Sequence, residues 1–253
     1  MRDEQINYSA IVVDTCIFLS QGFRMNSHPL NGLKQFNRTP VSVLVPEVIN
    51  SECLEHLSKN IEASRNKVDG SISNLLIHKV IDESLIHSVR NAIRACDTSR
   101  DMAKRNLEGF YHEVGAEQLE ISKYVDAGKL YELYFGKRPP FGKDKKKHEF
   151  PDAAALMSIQ KWAENQNSNV VFVSSDKDWK AFSETFSRIK YFDDLDKALE
   201  YFQPSEDVGR IKAFLNEQEP FEAEELAKDI ERSIKNIIKT IYVHAEGPVN
   251  QIV

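Results

Sequence analysis

Residues 10–14 read AIVVD and residues 170–176 read VVFVSSD. Each is a short β-branched apolar run that ends on polar or acidic residues, the pattern of a strand buried on both faces. Working outward, VSVLV at 41–45 and IKYF at 189–192 repeat it. Helical periodicity separates these runs. In 46–64, Pro46 stands at the start and Val48, Ile49, Cys53 and Leu57 share a stripe. In 151–164, Pro151 suits a first turn and Ala155, Leu156, Ile159, Trp162 and Ala163 recur at helical spacing. Strands alternating with helices predict an α/β fold around a mostly parallel sheet, because parallel neighbours need crossover connections.

Residues 65–135 are polar, with helical periodicity in 75–95 and again in 123–135, and are read as a helical insert between the second and third strands. Residues 205–219 are polar and acidic, as in a linker. Residues 221–242 place Phe221, Leu226, Ile230, Ile234, Ile237, Ile238 and Ile241 on an amphipathic helix that must pack on something. The expected organisation is one domain over 1–204 and a linker with a helical tail over 205–253. The tail is expected to serve a homodimer or a regulatory partner, with packing on its own domain as the alternative. The end at Gln251-Ile252-Val253, just after Gly247-Pro248, is abrupt, as in a piece of a longer protein.

Composition excludes several classes. Over 253 residues, 41% hydrophobic and 28% charged content is a globular balance rather than a disordered one. No apolar run approaches the roughly 20 residues of a membrane helix, and the opening MRDEQINYSA lacks the form of a secretory leader. Three scattered cysteines, Cys16, Cys53 and Cys96, suit the reduced cytoplasm. A net charge of −6 argues against coating nucleic acid by charge alone. A local basic run does exist. Residues 137–148 read KRPPFGKDKKKH, with Lys137, Arg138, Lys143, Lys145, Lys146 and Lys147 against the single acid Asp144.

Four carboxylates fall at related places. Asp14 follows the first strand, Glu52 lies early in the helix after the second, Asp152 opens the helix before the third, and Asp176 follows the third with Asp178 close behind. In a parallel α/β sheet such positions converge at the carboxyl edge. Singly, an Asp after a strand is usually a turn residue and an Asp in a first helical turn complements the dipole. Together they suggest a site for Mg²⁺ or Mn²⁺, which prefer hard oxygen ligands. No EF-hand spacing, HExxH pair, Walker loop or GxGxxG is present, and Asp14-Thr15-Cys16 lacks the second Asp of an aspartyl-phosphate phosphatase.

IVVDTCIFL, VPEVINSECLEHL, FPDAAAL and VVFVSSDKDW, in that order, resemble the four motifs of PIN-domain nucleases. The second motif places its acid six residues after Pro46, at Glu52 rather than Glu47. The stretch GKDKKKHEFPDA resembles a bacterial PIN-like branch with a long helical insert, and the likeness covers about residues 8–202. The resemblance implies a three-layer α/β/α domain in which Asp14, Glu52, Asp152 and Asp176 bind Mg²⁺ or Mn²⁺ and hydrolyse a phosphodiester, with Asp178 as an extra ligand. It implies substrate contacts from Thr15, Ser174, Lys143, Lys145 and Lys146. RNA stands ahead of DNA as substrate, and an endoribonuclease of toxin or defence type is the leading form. The alternative is a non-catalytic PIN-like module that binds RNA or a protein. Trp179, beside Asp178, is read as core ahead of a base-stacking residue, and Trp162 as core.

Overall fold

A computed structural model describes residues 8–78, 82–139, 141 and 149–202. The chain divides into two compact units, Met1–Tyr201 and Phe202–Val253. The linker and amphipathic tail expected at 205–253 lie outside the described residues, so the architecture here is that of the first unit. Its elements are β1 (Tyr8–Val13), α1 (Thr15–Ser20), a 3-10 helix (Leu30–Phe36), β2 (Ser42–Pro46), α2 (Glu47–Ile77), α3 (Glu83–Arg94), α4 (Ser99–Val114), β3 (Glu117–Leu119), α5 (Ile121–Tyr124), α6 (Ala127–Gly136), α7 (Glu149–Asn165), β4 (Asn169–Val173), α8 (Lys177–Thr185), β5 (Ile189–Phe192) and α9 (Leu195–Tyr201).

The strands form one sheet in the order β3-β2-β1-β4-β5, every pair parallel, with helices around it as expected of an α/β/α sandwich. Ile11 of β1 stands opposite Val43 of β2 and Val171 of β4. This central position explains the unbroken apolar runs: Ala10, Ile11, Val12 and Val170 to Val173 are all fully buried, since both faces are covered by helices. The chain steps from β1 out to β2 and β3, then crosses back to β4 on the other side of β1. The strand order therefore reverses between β1 and β4, and the carboxyl ends of strands at such a switch point are where α/β folds form their binding crevices.

Helix α7 makes the return crossing and packs on β2 and β4 as well as α2, α5 and α8. Every residue from Ala153 to Ile159 is buried. Three successive alanines let the helix lie close to its neighbours, and the one polar group, the Ser158 hydroxyl, donates to the Ala154 carbonyl at 2.8 Å. This stretch of the helix is enclosed by its neighbours and needs no polar face.

Two features differ from the sequence reading. The stretch expected as a helical insert contains the edge strand β3, and α4 within it belongs to the core. Ala103, Leu107, Phe110, Tyr111 and Val114 are buried, and α4 packs on α2 and the 3-10 helix. Gly115 (φ 66°) ends α4 in the left-handed conformation that glycine takes without steric cost. The turn delivers Glu117–Leu119 beside Leu44–Pro46 of β2. The Glu117 carboxylate there accepts the Trp162 indole N–H at 2.9 Å, and Leu119 is fully buried. Such a strand is held by tertiary contacts and has little signal of its own. The second difference is the length of α2, which runs 31 residues instead of stopping near 64. Polar clamps support its distal half. Arg65 reaches the Asp97 carbonyl and the Ser99 hydroxyl, while Arg90 of α3 reaches Asp69 and Ser73. Among the described residues no helix is long and apolar enough to cross a membrane.

Candidate active site

The carboxyl edge between β1 and β4 gathers the acids. Asp14 directly follows β1, and its backbone N–H extends the pairing by donating to the Val173 carbonyl at 2.9 Å. Its carboxylate is buried, 6% exposed, and accepts the Ser174 hydroxyl at 2.7 Å. The same Ser174 oxygen accepts the Asp176 N–H at 2.9 Å, so one fully buried hydroxyl joins the ends of the two central strands. Asp176 is exposed and caps α8, accepting the Asp178 N–H at 2.6 Å. On α2, Glu52 is half-buried and accepts the Thr15 hydroxyl at 2.8 Å. On α7, Asp152 is half-buried and accepts the Trp179 indole N–H at 3.3 Å.

Electrostatics links the four. Burial pushes Asp14 above the usual carboxylate range, against hydrogen bonds from Cys16, Ser174 and the Thr15 backbone, and the Asp176 charge adds to the rise. Burial raises Glu52 as well, opposed by the Thr15 hydrogen bond and assisted by the charge of Asp14. Asp152 is pushed up to about 6, first by burial and then by the charges of Asp14, Glu52 and Asp176, with the Trp179 hydrogen bond pulling the other way. The acids therefore sense one another, and among the described residues none of the four takes part in an ion pair. Neutral donors orient them and leave the negative charge in place. As the side chains stand, no three His, Cys, Asp or Glu among the described residues close on a single position that a metal ion would fill. The donor set nevertheless fits Mg²⁺ or Mn²⁺. It consists of oxygen ligands with no ion-pair partner among the described residues, and such ions commonly take only one or two carboxylates and complete their shell with water and phosphate.

The hydroxyls of Thr15 and Ser174, read from the sequence as substrate contacts, are buried and committed to Glu52 and Asp14, so here they position acids. Asp178 lies exposed in the first turn of α8. Lys143, Lys145, Lys146 and Lys147 lie outside the described residues. Trp179 is 1% exposed and packs on Phe172, with ring centroids 5.3 Å apart, so it presents no face to a base.

Sequence reasoning misses three neighbours. The first is Trp179 in its actual role of holding Asp152. The second is Cys16, whose sulfur accepts from the Ser175 amide at 3.3 Å and whose thiol is pushed upward by burial and then by Asp14, which makes it a poor nucleophile. The third is Tyr191, whose hydroxyl donates to the Ser174 carbonyl. Only Trp179 has a signal, its place beside the fourth acidic motif.

A family model described as PIN domain matches residues 11–179 of the chain. No curated protein and no solved structure matches it.

The raised proton affinity of Asp152 has a stability consequence in metal-free protein. Between an ordinary carboxylate value of 3.8 and about 6, the folded state keeps a proton that the unfolded state has lost. Stability from this group is thus present at low pH and lost as pH rises through that window. Asp152→Asn should then be more stable than wild type in EDTA, by about 1–2 kcal/mol at pH 7 after discounting for solvent screening. The gap should narrow as the pH falls toward the ordinary carboxylate range. Urea midpoints measured across the window check this; a gap independent of pH would show that Asp152 carries no such burden.

Proposed function

This chain belongs to the PIN-domain family, and from that premise we propose that it is a divalent-metal-dependent nuclease that hydrolyses phosphodiester bonds, with RNA ahead of DNA as substrate. An endoribonuclease of toxin or defence type acting in the cytoplasm is the specific form of the reading. The observation that carries it is the convergence at the β1–β4 crevice of four acids with no ion-pair partner among the described residues, three of them raised in proton affinity. PIN domains are generally metal-dependent nucleases, and concentrated uncompensated negative charge is what a divalent cation stabilises.

Asp14, Glu52, Asp152 and Asp176 would hold the ion, with Asp178 as an extra ligand. Mg²⁺ or Mn²⁺ bound there supplies neutralisation of charge on the phosphate and a lowered pKa for water. The remaining work belongs to the chain. Ser174 fixes the Asp14 carboxylate and the Asp176 backbone together. Thr15 sets the direction of Glu52. Trp179 holds Asp152 while its buried ring packs on Phe172. These supports restrict where an attacking water and a scissile phosphate can sit, which is the positioning component of phosphoryl transfer.

The direct test incubates labelled RNA, single-stranded DNA and duplex DNA with Mg²⁺, Mn²⁺ or EDTA. Cleavage of RNA with metal only is expected. Asp14→Asn should lower it by roughly 100-fold or more, and Ser174→Ala, which removes a support rather than a ligand, by roughly 10–100-fold. Binding of RNA without cleavage under any metal condition would leave the non-catalytic module as the function.

The basic run after α6 is proposed to hold substrate phosphate through Lys143, Lys145 and Lys146. Charge reversal of Lys143 and Lys146 together should weaken binding and reduce the slope of log affinity against log salt by about one for each phosphate no longer neutralised. An unchanged slope assigns the run to solvent.

The amphipathic segment 221–242 is proposed to mediate a homodimer or docking to a regulatory partner. Removal of residues 205–253 should reduce the mass measured by light scattering or abolish partner capture while cleavage persists. Unaltered assembly removes that role.

A further inference from the structure

Helix α6 carries two rings in the open. Tyr131 and Phe135, one turn apart, stack with centroids 6.2 Å apart and planes 24° from parallel, and they are 54% and 68% exposed. Beneath them lies a packed aromatic base. Phe150 stands 4.8 Å from Tyr134, 5.0 Å from Phe141 and 5.9 Å from Tyr131, and Phe141 is 1% exposed. Phe150 belongs to the first turn of α7, two residues before Asp152. The exposed pair is therefore bolted through Phe150 to the turn that carries one of the four acids. The inner rings Tyr134, Phe141 and Phe150 supply packing that joins α6 to α7.

The surroundings point to a nucleic acid. Lys137 and Arg138 follow directly at the end of α6, Arg138 being paired to Glu132 at 2.5 Å. The sequence then continues into Lys143, Lys145, Lys146 and Lys147. Aromatic faces next to cations are the chemistry by which proteins hold single strands, with bases on the rings and phosphates on the cations. A duplex hides its base faces and has no use for such a pair. Two rings bordered by Glu132 and Lys137 also fall far short of the roughly 800 Å² per side that a stable protein interface buries.

We propose that Tyr131 and Phe135 form a stacking platform for one or two unpaired bases of a single-stranded nucleic acid whose backbone continues to the carboxylate site. The proposal rests on the nuclease reading for its orientation, and on the α6 geometry for the platform itself.

The test uses the full chain in EDTA and follows anisotropy of a labelled, unstructured single strand, as RNA and as DNA, beside a duplex of the same sequence. The proteins compared are wild type and three paired substitutions at Tyr131 and Phe135, to Ala, to Leu and to Trp. The Ala and Leu pairs should bind the single strand about tenfold or more weakly, the Trp pair should bind as wild type, and duplex binding should not change. Because Leu keeps the apolar bulk, it separates loss of stacking from loss of fold. In the presence of metal, kcat/KM on a long single strand should fall with the Ala or Leu pair, while kcat/KM on a dinucleotide should not.

Wild-type affinity in the Leu pair overturns the platform, as does a wild type that binds no single strand. A change in elution mass with nucleic-acid binding intact also overturns it and makes the rings a contact between copies. Stacking-dependent binding without cleavage sinks the nuclease reading and leaves the platform standing. Cleavage of long and short strands alike by every variant does the reverse.

Discussion

The buried carboxylate of Asp14, at the end of the central strand, is the group around which the other contacts are arranged. It is 6% exposed and lies within the fields of other acids. Three structural conditions hold it there. The parallel sheet brings the ends of β1 and β4 together, the reversal of strand order opens a crevice beside them, and the Ser174 hydroxyl bridges Asp14 to the Asp176 backbone. Remove the parallel pairing and Asp14 and Asp176, 162 positions apart in sequence, have no reason to meet. The alanine-rich stretch of α7 serves the same end, since a bulkier helix would hold Asp152 further from the strand ends.

The supports of the four acids share one chemical trait. Serine, threonine, tryptophan and backbone N–H groups direct the oxygens without supplying positive charge. A lysine or arginine in any of those places would relieve the repulsion within the protein and compete with a metal ion for the same oxygens. Neutral support leaves the negative charges uncompensated by these partners, so the fold carries the cost of holding them close together. The proton affinities of Asp14, Glu52 and Asp152 are raised first by burial and then by the neighbouring acid charges.

How much of this the sequence discloses follows from how local each signal is. Asp14 and Asp176 are readable because each ends or closely follows an apolar run that only a buried strand explains. Glu52 and Asp152 are readable through helical phase. The edge strand β3 is not, because Glu117-Gln118-Leu119 is short and polar and is fixed by contacts remote in sequence, with Trp162 and with β2. The length of α2 is hidden for a similar reason. Its distal half is held partly by Arg65 and Arg90 through polar bonds to other segments, and its apolar positions Val68, Ile72 and Leu75 are spread thinly among polar residues. Trp179 is visible as a residue of interest, yet its indole N–H finds Asp152 only through the packing of α8 against α7.

A site built of acids faces a physical difficulty in taking a polyanion, and a net charge of −6 supplies no long-range attraction to offset it. At physiological ionic strength charges more than about 8 Å apart are largely screened, so attraction must be arranged locally. Two local sources exist on this chain: cations concentrated in the stretch after α6, and uncharged aromatic faces on α6 itself. Stacking is indifferent to the sign of nearby charge and to salt, so it holds a strand near the crevice without adding positive charge that would compete with metal for the carboxylates. The covalent order of the chain strengthens this division. Along the chain, the aromatic rings of α6, the lysines of 143–147 and the acid Asp152 follow one another within about two dozen residues.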